Sequence, residues 1–160
     1  MITAKELRAA LVDLVKVKAG LSAYEVHFDN VKEASGSYFY IKVTSRRKTF
    51  DQVFYERSLA IDLQLILLPD GFNRIHRSEL YDAVDALDRA VRPVFHVKDR
   101  FITVQETRSR IVDGVLHYEF DLDFADYLPV EMPPHMETLA VDLSVGNLKL
   151  ELKEETEDGE

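Results

Sequence analysis

The side chains best placed to do chemistry are four carboxylates near residue 120. Glu119, Asp121 and Asp123 alternate along one predicted strand, so they share a face, and the expected hairpin register puts Glu106 opposite Asp121. Facing carboxylates can bind a divalent cation, or raise one another's pKa for acid–base catalysis. A small metal-dependent hydrolase is therefore one hypothesis. No glycine-rich loop, nucleophile elbow or phosphate-binding lysine accompanies these acids, so a solvated sheet face or a charged subunit interface is the simpler interpretation.

Other residue types that bind metals are too dispersed in the sequence to predict a site. The chain has no cysteine, which excludes disulfides, thiolate zinc sites, iron–sulfur clusters and cysteine nucleophiles. No two histidines share the i, i+2 or i, i+4 spacing that aligns ligands on one strand or helix: His27, His76, His96, His117 and His135. We therefore expect no cofactor, no metal and no catalytic residue.

Charge is unevenly distributed along the chain, which favours interactions between protein surfaces. The net charge is −9, and residues 119–160 hold thirteen acidic residues against two lysines. This balance argues against general nucleic-acid binding, which depends on neutralising phosphates. The main basic run, residues 46–48, stands near aromatic residues. A basic loop and an acidic arm favour head-to-tail docking between copies, and plain solvent exposure is the alternative.

The apolar pattern predicts two helices. Thr3 and Glu6 form a capping box before a helix over about residues 4–19. Ser78 is the expected N-cap of a second helix over about residues 79–91.

Alternating hydrophobicity predicts the strands. Residues 24–28 and 38–43 start a meander, residues 44–57 are a candidate long hairpin tip, and residues 59–67 form a half-buried strand. An Asp-Gly pair at 113–114 between two alternating runs predicts a hairpin with a type I′ turn. The second run of that hairpin has an unbroken apolar row, so it must lie against the helices.

These elements together predict an α+β fold in the order α-β-β-β-α-β-β: an antiparallel-rich sheet with two helices packed on one face, plus hairpin and C-terminal arms. Residues 1–128 would form the domain, residues 129–152 an extended C-terminal arm and residues 153–160 an acidic, disordered tail. Residues 139–145 keep the period-two spacing of a strand, so we expect the arm to add to a sheet edge of a neighbouring copy. Apolar runs are too short for a membrane span, and the first residues lack a signal-peptide core.

The order of these segments resembles the tail terminator proteins of long-tailed phages and related phage tail-like particles. The resemblance covers roughly residues 1–128 and rests on element order and on the final hairpin, not on invariant chemical residues. Its segments are the capped first helix, Y-F-Y-I-K-V (38–43), the polar arm (46–57), L-A-I-D-L-Q-L-I-L-L-P (59–69), L-Y-D-A-V-D-A-L (80–87) and V-D-G-V-L-H-Y-E-F-D-L-D-F (112–124).

The resemblance implies a non-enzymatic virion assembly protein. Such a protein caps the tail tube as a six-membered ring, stops tube polymerisation and offers a docking surface to the head or neck connector. Its implied partners are further copies of itself, the tail tube protein, the connector or head-completion protein and, as a further candidate, the sheath protein. Genomic DNA would only pass through the ring channel, and no membrane is involved. The implied location is the virion tail or neck, after assembly in the host cytoplasm.

We expect the contacts with neighbouring subunits and the tube to use one set of charged and aromatic residues. These are Arg46, Arg47, Lys48, Phe50, Phe54, Tyr55, Arg57, Arg108, Arg110, Glu119 and Asp121. Two alternatives stay open: the hydrolase that uses Glu106, Glu119, Asp121 and Asp123, and a ligand-binding module with a pocket between the second helix and the final hairpin. A divalent cation that raises thermal stability would favour the hydrolase, since a ligand that binds only the folded state stabilises it.

Overall fold

The computed structural model describes residues 1–51 and 53–128. The expected arm over residues 129–152 and the acidic tail over residues 153–160 lie outside the described residues. The α+β class and the predicted element order are confirmed, with one additional small hairpin after the second helix. The elements are α1 (Ala4–Asp13), β1 (Glu25–His27), β2 (Tyr38–Thr49), β3 (Phe54–Ile66), α2 (Arg77–Val91), β4 (Val94–Val97), β5 (Arg100–Thr103), β6 (Thr107–Val112) and β7 (Val115–Tyr127).

The first helix begins at the predicted capping box. The Thr3 hydroxyl accepts a hydrogen bond from the Glu6 amide at 3.2 Å, and the Glu6 carboxylate accepts one from the Thr3 amide at 2.9 Å. These contacts pair backbone N–H groups that have no partner within the helix. The helical path continues after α1, but Leu14–Lys18 form a π-helical turn. Gly20 then ends the helical path with φ at +69°, a backbone conformation that glycine adopts without strain.

The main sheet has five strands in the order β1-β2-β3-β7-β6. All neighbours are antiparallel except β1 and β2, which pair in parallel from Glu25–Tyr38 to His27–Tyr40. The predicted meander start is therefore wrong. A parallel neighbour requires the chain to return to the same end of the sheet, and residues 28–37 provide that return.

The candidate hairpin tip over residues 44–57 is confirmed and is formed by β2 and β3. The ladder continues to the Thr49–Tyr55 pair, so β3 begins five residues before the predicted start at Leu59. Asp51 closes the turn because its carboxylate accepts the amides of Phe54 at 2.6 Å and Val53 at 2.7 Å. These two hydrogen bonds hold the pKa of Asp51 below its ordinary value.

The second helix starts two residues earlier than the sequence predicted. The N-cap is His76, with no side-chain cap hydrogen bond, so the expected N-cap role of Ser78 is wrong. Asp70 organises the preceding loop, since its carboxylate accepts the Phe72 and Arg74 amides at 2.9 Å each. The imidazole of His76, the N-cap of α2, lies 3.2 Å from the other Asp70 oxygen.

The small hairpin of β4 and β5 was not predicted. Each strand has four residues, and the turn contains no glycine. Lys98 supplies the tight turn instead, with φ at +55°. Phe95, Val97 and Ile102 of this hairpin are buried in the hydrophobic core.

The final hairpin has the predicted turn and register. Asp113 and Gly114 have φ of +51° and +79°, as the two central positions of a type I′ turn require. The pairs Val112–Val115, Arg110–His117 and Arg108–Glu119 form as expected. The expected Glu106–Asp121 pair does not, because β6 begins only at Thr107 and leaves Glu106 outside the ladder.

One hydrophobic core lies between the sheet and both helices. Fully buried side chains of the sheet such as Phe39, Leu63 and Tyr118 pack with Leu11 of α1 and Leu87 of α2 in a single cluster. Both helices therefore cover the same face of the sheet, as predicted. In the described part of the chain, no helix is long and apolar enough to cross a membrane.

A polar contact joins α2 to the final hairpin within this core. Asp88 accepts hydrogen bonds from the Tyr118 hydroxyl at 2.6 Å and from the Thr107 hydroxyl at 3.0 Å. Burial, together with the Asp88 carboxylate, raises the pKa of the Tyr118 phenol, so this hydroxyl stays protonated and donates.

Candidate functional site

The sheet face opposite the helices is polar, and we refer to it as the open face. Strand pairing arranges its side chains in rows across β2, β3, β7 and β6. One row is Lys42, Asp62, Glu119 and Arg108, and the next is Tyr40, Gln64, His117 and Arg110. In the first row, cationic residues therefore lie on the outer strands and acidic residues on the inner ones. Cross-strand pairs of opposite charge stabilise a sheet modestly, and they give the face a defined pattern for recognition.

Arginines pair with two of the four carboxylates that the hydrolase alternative would use. Arg108 contacts both oxygens of Glu106, at 2.8 and 3.1 Å, and this bidentate pair lowers the pKa of Glu106. Arg110 donates to Glu119 at 2.7 Å. Asp121 and Asp123 are exposed on the open face. A general acid needs a raised pKa, whereas the Arg108 guanidinium lowers the pKa of Glu106.

Asp62, His117 and Glu119 form a cluster of possible metal ligands that the sequence analysis did not find. One ligand atom from each lies within 4.8 Å of the others. His117 Nδ1 is 3.2 Å from Asp62 Oδ2, and Gln64 donates to the same oxygen at 2.6 Å. Asp62 Oδ1 is buried without a hydrogen-bond partner among the described residues, whereas Arg110 already pairs with Glu119, so a cation would have to compete with that guanidinium. The signal was missed because it depends on the register between β3 and β7.

The expected basic and aromatic interface residues separate into an exposed group at the end of the β2–β3 hairpin and a group on the helix side of the sheet. Arg46, Lys48, Phe50 and Phe54 are exposed around the end of the β2–β3 hairpin, and the two phenylalanines are 62% and 52% exposed. Arg47 lies on the helix side of the sheet, with its guanidinium 5.8 Å from the Tyr55 ring. Exposed phenylalanines beside cations are typical of a surface that another protein covers.

Tyr55 and Arg57 act inside the chain and are not available to a partner, which corrects the expectation for both. Tyr55 is 5% exposed and Arg57 is 3% exposed. Arg57 donates to the Ile2 carbonyl at 2.6 Å, and the Tyr55 hydroxyl donates to Asp126 at 3.2 Å. The sequence misleads here because both residues continue the polar arm, yet their alternation places them on the helix side of β3.

Asp126 is the centre of this buried group. Its side chain is fully buried and accepts the amides of Ile2 at 2.9 Å and Tyr127 at 3.0 Å. Guanidinium nitrogens of Arg100 and Arg57 lie 3.4 and 4.0 Å from its oxygens. Burial raises the pKa of Asp126, but the hydrogen bonds from Ile2 and Tyr127 and the nearby amino group outweigh it, and the pKa is lowered. The group is structural: it ties the first residues to β3, β5 and β7.

The outer edge of β2 is unpaired over most of its length in the described part of the chain. β1 pairs with β2 only as far as Tyr40, so Ile41–Thr49 have no strand on that side among described residues. A groove of about 370 Å³ runs along this edge, between β2 and α1. Its lining includes apolar Leu7, Phe28 and Val43, and basic Arg8, Lys42 and Arg47.

A second cleft lies where the ligand-binding alternative placed its pocket. It occupies about 250 Å³ between α2 and the final hairpin, and Tyr81, Val84, Ser109, Arg110, Ile111 and Leu116 line it. Ligand pockets usually enclose about 300–1,000 Å³ and hold a few converging polar groups. This cleft is smaller and mainly apolar, so the geometry does not favour the ligand-binding alternative.

Comparison with known proteins identifies a family that the chain matches and two solved structures to which it is similar. Residues 8–134 match the family model described as "Phage tail terminator protein". No curated protein matches the chain. A chain from the virion of a native gene transfer agent particle is 15% identical, covering 73% of this chain and 91% of that chain, with a TM-score of 0.47. A second solved protein, with no stated function, is 15% identical over 82% of this chain and 100% of that chain, with a TM-score of 0.40.

Proposed function

The chain belongs to the phage tail terminator family, and from that premise we propose that it caps the tail tube as a six-membered ring. In this role it stops tube polymerisation and provides the docking surface for the head or neck connector. Membership of the family makes it a structural component of a phage tail. Ring formation, termination and connector docking are the specific steps of the proposal.

The observation that carries the proposal is the exposed aromatic and basic end of the β2–β3 hairpin. Phe50 and Phe54 present large apolar side chains to solvent beside Arg46 and Lys48. A soluble monomer gains nothing from exposing them, whereas burying them against a neighbour removes apolar area from water at about 25 cal/mol per Å². We propose that this surface contacts the adjacent subunit or the last ring of the tube.

We assign the open face to a charge-patterned contact and not to catalysis. Arg108, Arg110, Glu119 and Asp121 keep their expected interface role in this proposal. The ion pairs of Arg108 with Glu106 and Arg110 with Glu119 are exposed, so they contribute little to stability in the free chain. Exposed charges of this kind mainly steer encounter and fix the register between partners.

The proposed partners follow from that position at the end of the tube. They are further copies of the chain, the tail tube protein, the head-completion or connector protein and, in a sheathed tail, the sheath protein. The acidic balance of the chain would disfavour adhesion of DNA that passes through the ring. The proposed location is the tail or neck of the virion, after assembly in the host cytoplasm.

Locating the protein in purified tails tests this proposal. A gold label on an affinity-tagged copy should bind only at the head-proximal end, and the cross-linked assembly released from tails should have the mass of six copies. Label along the whole tube, or at the opposite end, would contradict a terminating role. A cross-linked mass that corresponds to single chains would contradict the ring.

A further inference from the structure

The edge of β2 that has no strand beside it among the described residues lies next to the groove between β2 and α1. Because β1 stops at His27, the position next to Ile41–Thr49 continues the line of β1. An added strand would run about 4.8 Å from β2 and receive its main-chain hydrogen bonds. Unpaired edges of this length favour association with another chain, and soluble proteins usually protect them.

We propose that this edge is completed in the assembled ring by residues 138–145 of a second copy. The inference rests on the proposed ring and names the contact that links its subunits. Residues 138–145 lie outside the described residues, and their sequence supplies the pattern and charge that favour this contact. The residues that line the groove all belong to the described part of the chain.

The sequence of residues 138–145 matches the two sides of the groove. Leu139, Val141, Leu143 and Val145 alternate with small or polar residues, so an extended strand presents one apolar side. On the groove side, Leu7 and Val43 offer apolar contact area. Alternating apolar side chains would fix the register, while the backbone ladder would provide affinity.

Charge also favours this segment. Asp142 lies within the segment and Glu137 directly precedes it, and the groove is bordered by Arg8, Lys42 and Arg47. Residues 129–160 contain nine acidic residues and two lysines, so the approaching segment carries negative charge toward a positive edge. The Arg8 guanidinium already lies 5.0 Å from the Phe28 ring at one end of the groove, which holds it in place.

The competing way to cover the edge is direct pairing with β6, the other edge strand of the sheet. Such a sheet would continue the open face, on which β6 carries Arg108 and Arg110 and the unpaired part of β2 carries Lys42, Arg46 and Lys48. Like charges on adjacent strands are destabilising, so β6 is a poor partner for β2. The acidic segment does not have this conflict.

The connection is long enough for exchange between copies. Nine residues, 129–137, separate Leu128 from the proposed strand, and an extended chain of that length spans about 30 Å. That distance exceeds the spacing of several strands in a sheet. A linker of that length can therefore extend from Leu128 to a sheet edge of a neighbouring copy.

Disulfide cross-linking tests the proposal cleanly because the chain has no cysteine of its own. One set of copies carries Ser45→Cys, since Ser45 is exposed and lines the groove on the same side of β2 as Val43. A second set carries a single cysteine at each of the positions 139 to 145 in turn. The two sets are produced together, and tails and concentrated free protein are oxidised and separated without reductant. Each copy has one cysteine, so a covalent dimer of the two sets requires contact between chains.

The expected result is that cross-linking occurs at every second position along the segment. Covalent dimers should form only with the cysteines that lie opposite Ser45, because disulfides require Cα atoms about 4.4–6.8 Å apart. The candidates are Leu139→Cys, Val141→Cys, Leu143→Cys and Val145→Cys. Ala140→Cys and Ser144→Cys are matched controls that should remain mainly monomeric. Thr156→Cys, beyond the segment, should also remain monomeric.

Two kinds of outcome would overturn the inference. Equal cross-linking at odd and even positions, or none at any position, would show that no strand forms at this edge. A doubly substituted chain, Ser45→Cys with Val141→Cys, that forms only an internal disulfide would place the segment in its own sheet. Neither outcome affects the termination role, which tail-length measurements decide independently.

Discussion

Replacing Asp126 with asparagine should destabilise the chain by about 3 kcal/mol. The carboxylate is fully buried and faces Arg57, whose side chain is 4% exposed, and Arg100. Removing one partner of a buried charge group leaves the other uncompensated, which costs about 3–5 kcal/mol. The lower end of this range applies because an asparagine oxygen can still accept a hydrogen bond from the Ile2 amide, which lies 2.9 Å from the carboxylate.

Urea unfolding measures this loss directly. With a slope of about 2 kcal/mol per M, a loss of about 3 kcal/mol lowers the unfolding midpoint by about 1.5 M. Asp123→Asn is the matched control, since Asp123 is exposed on the open face of the same strand and its replacement should change stability by less than about 0.5 kcal/mol. Adding Arg57→Met to Asp126→Asn should cost less than the sum of the two single changes, because the uncompensated cation is removed.

The pH dependence gives a second readout of the same group. The pKa of Asp126 is lower in the folded chain than in the unfolded one, so its stabilisation is present above the unfolded pKa of about 3.9. It is lost as the pH falls through the folded pKa, because the unfolded chain then binds the proton more readily. The parent should lose stability on acidification more steeply than Asp126→Asn. Equal unfolding midpoints for Asp126→Asn and Asp123→Asn, with parallel pH profiles, would refute the reasoning.

Three further predictions concern the surface, the carboxylates and the final turn. Reversing the charges of residues 46–48 should change the free energy of unfolding by no more than about 0.5 kcal/mol, because such exposed positions make few contacts. The same variant should produce tails that fail to join heads, and normal joining would contradict the proposed interface. Mg²⁺ or Zn²⁺ should leave the melting temperature of the parent unchanged, since Arg110 pairs with Glu119; a rise that His117→Ala abolishes would instead favour a metal site. Gly114→Ala should lower the free energy of unfolding by about 1–2 kcal/mol in chemical denaturation, because φ is +79° and the new Cβ would lie 3.2 Å from Ile75. Gly36→Ala is the control and should be nearly neutral, since nothing lies within 4 Å of its new Cβ.

The elements that sequence reasoning predicted correctly are those with local signals. The Thr3 and Glu6 capping box and the Asp113-Gly114 turn each fix structure within a few residues, and both form as expected. The small β4–β5 hairpin was missed because Lys98, and not glycine, adopts the positive φ of its turn. The parallel pairing of β1 was missed because it depends on how the chain returns to the sheet, which no local pattern specifies.

The candidate sites show the same division between local and distant information. The basic and aromatic hairpin end is contiguous in sequence, so it could be found there. The contact of Asp62 with His117 joins residues 55 apart, and that of Tyr55 with Asp126 joins residues 71 apart. Both need the register of β3 against β7, which the sequence did not supply. Tyr55 and Arg57 were therefore interpreted as surface residues although they are buried.

The length of the tail tube tests the central claim most directly. Tails should be measured by negative-stain microscopy in particles made with the parent chain, without it, and with the chain restored from a plasmid. Termination predicts one narrow length distribution when the chain is present, tubes well beyond that length when it is absent, and recovery of the narrow distribution on restoration. Tubes of normal length and unchanged head attachment in its absence would contradict a terminating role for this protein.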